Sequence, residues 1–188
     1  MEISLRDLVT VLHGMGFGTL FMMAFSGAIG LIYVTAFVGI QPLAARMTTL
    51  MFRFYLSSMV LLAWLTVLSG TYIIYPWYRA KPTAGTTDLT GYPRSLLLSN
   101  PLTSGWHDLG MEWKEHVAWF TPMAMTMVAY VFIKYGPQIA LHRQLRNAVL
   151  GFTAAAFFAT AVAGGVGAFL NKFAPVRGGQ QIIMYQAK

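Results

Sequence analysis

LHGMGFGTLFMMAFSGAIGLIYVTAFVGI, residues 12–40, contains no Asp, Glu, Lys or Arg. About 20 mostly apolar residues suffice for a helix to cross the hydrocarbon layer. This stretch, taken as a span over about 8–40, exceeds that length and predicts a helix that tilts or projects from the membrane. The segment before it, MEISLRD, carries two acids against one Arg, and the apolar run is too long for a typical signal peptide. It reads as a retained helix.

Outward from that stretch, three more apolar segments are expected to span, at about 53–75, 113–133 and 148–170. Pro122 lies inside the third and predicts a kink or a weakened turn. Composition agrees: 56% of the 188 residues are hydrophobic and only 10% are charged, against roughly 25% in a soluble domain. A soluble globular domain, a disordered chain and a disulfide scaffold are excluded. The expected fold class is all-α, an integral membrane protein. Its four transmembrane helices form one bundle, a single domain over 1–188, with a long loop between helices 2 and 3.

Four spans place both termini and the middle connection, about residues 76–112, on one side. All six acids (Glu2, Asp7, Asp88, Asp108, Glu112, Glu115) fall there. The two short loops and their flanks hold Arg46, Arg53, Lys134, Arg143 and Arg146 without an acid. Eight basic residues lie on the termini side (Arg6, Arg79, Lys81, Arg94, Lys114, Lys172, Arg177, Lys188), but the short loops are denser in positive charge. Orientation follows Lys and Arg in short loops, so the termini are expected on the outer side of a bacterial inner (plasma) membrane. The net charge of +7 reads as topology signal and lipid-headgroup contact, with the bilayer as partner and no nucleic acid.

Ionisable residues within a membrane need a reason. His13 lies just inside the first expected helix and His116 just inside the third, at similar depth near the termini side. Two imidazoles from separate helices are what a bis-histidine haem requires. Gly14, Gly16 and Gly18 would leave room for a flat macrocycle, Arg79 and Lys81 would meet its propionates, and Trp119 and Phe120 would pack on its edge. The competing reading keeps both histidines as interfacial residues and the glycines as helix-packing positions.

Glu112 and His116, like His107 and Met111, are four residues apart and share a helical face able to hold a metal. Glu112 or Glu115 would alternatively take a proton from a quinol, orient His116, or complement the helix dipole. His142 stands alone at the other end, so any haem is single; without Cys there is no covalently attached haem or Cys-held iron–sulfur cluster. Gly151, Ala155, Ala159, Ala163 and Gly167, with Gly164 and Ala168 beside them, predict an assembly face on the fourth helix. Tyr72, Tyr75, Trp77 and Tyr78 read as an interfacial aromatic belt that a quinone head group would also suit.

With four helices and with His13 and His116 near one face, the chain resembles small cytochrome-b-type membrane subunits. The resemblance implies haem b, held by His13 and His116, in a respiratory or photosynthetic electron-transfer complex. It implies exchange of electrons between quinone or quinol and a partner on the termini side. Other membrane and peripheral redox subunits would be its partners, and the chain itself would be a non-catalytic electron-transfer or anchor subunit of an oxidoreductase. The alternative is a cofactor-free structural subunit. A transport protein is disfavoured because paired ionisable groups do not mark a pathway.

Overall fold

A computed structural model describes residues 2–33 and 42–183 of the chain. Most of these residues fall into four helical runs. The first run joins an α-helix at Leu5–Val11, a π-helical segment at Leu12–Thr19 and an α-helix at Leu20–Tyr33. The second joins Pro42–Ser69, a π-segment at Gly70–Ile74 and a turn of α-helix at Tyr75–Tyr78. The third starts at Pro101–Gly105, passes through π-segments at Trp106–Met111 and Trp113–Val117, and ends as an α-helix at Phe120–Tyr135. A 3-10 turn at Gly136–Leu141 leads into the fourth, Arg143–Phe173.

Among the described residues, four segments are long and apolar enough to cross a membrane: Leu5–Gly30, Leu50–Tyr78, Pro101–Tyr135 and Arg143–Phe173. The expected continuation of the first span through residues 34–40 lies outside the described residues, as does Lys188. The third run begins earlier than its apolar pattern predicts. Asn100 supplies the cause: its side chain accepts from the Leu102 N–H at 2.9 Å, and Pro101 takes the first helical position. The middle connection is shorter as a result, and it carries a further helix at Pro93–Leu98.

Pro122 weakens the third run where the sequence says it should. Proline has no N–H for the carbonyl of Ala118, four residues back. Thr121 N–H instead reaches Ala118 O at 3.2 Å, and Ala118 N–H reaches back five residues to Trp113 O at 3.2 Å. A turn at residues 118–119 separates the π-segment from the α-helix.

Each run packs against its sequence neighbours, and the fourth closes against the first. The first and third runs therefore stand diagonally. Phe21, Phe25, Ile32, Leu56, Met59, Met125, Val128 and Val149 fill the main core. A smaller core at the termini end gathers Tyr78, Leu97, Met111 and Leu170.

The fourth run's buried positions are Val149, Thr153, Ala156, Ala159, Ala163 and Leu170. Of the expected small-residue face, Ala159 and Ala163 are buried, whereas Gly151, Ala155, Gly164 and Ala168 are exposed. A strict four-residue spacing drifts about 40° around a helix at each step, so no straight seam can use all of it. Where the seam is used, bare backbone is the benefit. Trp113 Nε1 donates to Ala159 O at 3.2 Å, Lys114 Nζ to Ala163 O at 3.4 Å and Thr121 Oγ1 to Ala156 O at 3.3 Å.

The termini meet in a two-stranded antiparallel sheet, β1 at Glu2–Ser4 and β2 at Gln181–Ile183, with Ile3 opposite Ile182. Ser4 and Asp7 then form a reciprocal capping box that starts the first run. Arg6 crosses the same end, donating to Arg177 O at 3.2 Å and lying 5.4 Å over the Trp77 ring.

Candidate functional site

The polar side chains gather at the termini end. The four π-helical segments among the described residues carry His13, Gly70, His107, Lys114, Glu115 and His116. Such segments commonly mark functional positions.

His13 is half-buried and turns toward the second run. Its Nδ1 lies 2.9 Å from Ser69 Oγ, and the Ser69 hydroxyl donates to Thr66 O at 3.1 Å. With that hydroxyl proton committed, Ser69 accepts and His13 Nδ1 carries the hydrogen. Its Nε2 lone pair is left for another partner. The ring lies against Gly70, where an added Cβ would come within 2.8 Å of His13 Cε1.

His116 has a different setting. Its Nδ1 is 3.1 Å from Glu112 O and 3.3 Å from Glu112 Oε2. Both partners accept, so this Nδ1 also carries hydrogen and Nε2 is again open. The side chain is 70% exposed, on the outside of the helix. Lys114, two residues earlier, points instead at Ala163 of the fourth run. Residues i and i+2 project to nearly opposite faces of a helix, which explains the divergence.

A haem iron needs imidazoles with free Nε2 and anchored Nδ1–H. His13 and His116 each meet that requirement. No hydrogen bond or ring contact joins the two, and they belong to diagonal runs. Among the described residues no group of three or more His, Cys, Asp or Glu side chains could hold a metal ion.

The other expected site residues are spread around this end. Gly14 faces open space, and Gly16 meets only Leu12 of its own run. Close approaches occur instead at Gly70, at Gly110 against Val166, and at Gly167 against Lys114. The Arg79 guanidinium lies 5.3 Å over Tyr75, and Lys81 is exposed. Trp119 pairs edge-on with Trp64, and Phe120 stacks with Phe152.

One constellation is invisible in the sequence pattern. Tyr78 Oη lies 2.7 Å from His107 Nδ1, and Arg94 Nε donates to His107 Nε2 at 3.3 Å. Tyr78 ends the second run, Arg94 sits on the short helix of the connection, and His107 lies in the first π-segment of the third. Both ring nitrogens of His107 are occupied, which removes it and its neighbour Met111 as a ready ligand pair. His142 is exposed at the start of the fourth run, at the opposite end. A comparison with protein-family models, curated proteins and solved structures finds no match.

Proposed function

We propose that the chain is a membrane-embedded subunit of a respiratory or photosynthetic electron-transfer complex that holds one haem b through His13 and His116. The supporting observation is the pair of anchored Nδ1–H groups, on Ser69 and Glu112, which leaves two Nε2 lone pairs at one end of the bundle. A bound haem would supply one-electron transfer between a quinol and a partner on the termini side. Ser69 and Glu112 would orient the rings, and Arg79 and Lys81 would lie near the propionates. The setting is a bacterial inner membrane with the termini outside, beside peripheral redox subunits.

A second reading has its own support: the separate surroundings of the two rings favour a cofactor-free subunit that braces partners. A reduced-minus-oxidised spectrum with pyridine haemochrome analysis separates the two. The haem reading expects a Soret and an α band that vanish in His13→Ala and His116→Ala and persist in His142→Ala. A colourless, stably folded wild-type complex rejects it.

A further inference from the structure

We propose that Arg94, His107 and Tyr78 form a one-directional chain of hydrogen-bond donors which, with Glu115 of the same helical run as His107, binds the head group of a quinone or quinol at the termini-side interface.

The direction follows from donor and acceptor inventory. Arginine only donates. Arg94 Nε–H therefore points at His107 Nε2, 3.3 Å away, and that nitrogen accepts. A neutral imidazole then carries its hydrogen on Nδ1, so the 2.7 Å contact runs from His107 to Tyr78 Oη. Tyr78 accepts there and keeps its own O–H to give away. The residue is 4% exposed, among Leu97, Met111 and Leu170. A buried hydroxyl hydrogen seeks an acceptor. Each bond in such a chain polarises the next, and the guanidinium at its head drives positive character toward the phenolic hydrogen. A carbonyl oxygen is the acceptor best matched to that end.

Glu115 supplies the complementary group. The Tyr75 ring stacks on Tyr78 with centroids 6.3 Å apart, and the Glu115 carboxylate is close enough to act electrostatically on both. A head group that reaches both would find a donor in Tyr78 and an acceptor in Glu115. The oxidised head group offers a carbonyl to Tyr78; the reduced one offers a hydroxyl to Glu115. The depth suits an amphiphile: Tyr78 ends an apolar run, and Tyr72, Ile73 and Leu109 leave exposed apolar surface at the same end. A prenyl tail would lie along it.

The proposal deepens the quinol partner of the function above and is independent of where iron binds. Its test uses the full chain in nanodiscs, titrated with decylubiquinone, with its reduced form decylubiquinol and with menadione, read by quenching of tryptophan emission. Wild type should show saturable quenching by at least one of them. Tyr78→Phe removes only the oxygen and should weaken binding about tenfold, the worth of one hydrogen bond to a polarised donor. Glu115→Gln should weaken the reduced probe more than the oxidised one. If Tyr78→Phe fails to fold, the half-exposed Arg94→Gln reads the same chain and should weaken binding severalfold. Absence of saturable binding in wild type overturns the proposal. So does an unchanged Kd in a folded Tyr78→Phe or Arg94→Gln protein that only melts earlier, since the network would then merely tether the connection. Haem content separates the two claims: a colourless protein that binds quinone sinks the haem reading alone, and a haem protein without saturable quinone binding sinks the quinone site alone.

Discussion

Ser69 is the residue on which the His13 tautomer depends. Its hydroxyl is spent on Thr66 O, so it can only accept from the imidazole. Ser69→Ala should remove that anchor; on the proposed haem reading it lowers haem affinity about 10- to 100-fold, the usual loss for a group orienting a ligand, as read by titration of haemin into apoprotein. Gly70→Ala should act more bluntly, because its Cβ would meet the imidazole ring carbon at 2.8 Å and the ring must move. Sequence pairs His13 with the glycines following it, at adjacent positions in the chain. Space pairs it with Gly70, and only the crossing of two helices could reveal that. At Asp88, outside the helices, the Thr90 N–H and hydroxyl both donate to the carboxylate and hold it below its usual range. The stabilisation is complete above the ordinary carboxylate range and lost as pH falls through the lowered value. Thr90→Ala should raise the Asp88 midpoint, as read by NMR titration.

At the scale of elements, the third and fourth runs are tied through carbonyls that small residues leave bare. Lys114 is the costly member, its Nζ donating to Ala163 O at 3.4 Å as its acceptor among the described residues. Lys114→Met keeps the stem and removes the charge, so the melting temperature should hold or rise. Lys114→Glu sets a carboxylate against that carbonyl and should lower it. Gly110→Ala brings a Cβ within 2.6 Å of Val166 and should cost about 1–3 kcal/mol by overpacking, seen in the same melt. The Pro122 break was legible beforehand because a missing N–H is a local fact. The polar lead-in of the third run carries caps and mixed polarity that signal a short helix; that it runs on into the apolar span, starting from the Asn100 cap and Pro101, is what the structure adds.

Across the described residues, the apolar windows of the four candidate spans are between 11% and 39% buried within the chain. The outer faces of all four runs therefore need lipid, detergent or a partner to cover them. The β1–β2 sheet fixes both termini at one end. In a chain without cysteine, Ile3→Cys with Ile182→Cys should cross-link within one molecule under mild oxidation, because the two residues are directly opposed. If the runs cross a membrane, a single cysteine at Ile183 or Thr87 should react with an impermeant maleimide from the same side, and one at Gln144 from the other. Shared labelling of Thr87 and Gln144 would refute the four-crossing arrangement.

Hydropathy alone determined the number and rough place of the helices long and apolar enough to cross a membrane, because that property lies in long uncharged stretches of the sequence itself. It likewise marked Pro122, whose effect is confined to its own turn. Tertiary structure decided which side chains meet. Helix rotation sends Lys114 inward and His116 outward, the crossing of two runs sets His13 on Gly70, and the returning connection carries Arg94 to His107 and Tyr78. Those pairings depend on angles about each helix axis and on close approach between distant segments, and neither is encoded in the spacing of residues along one chain.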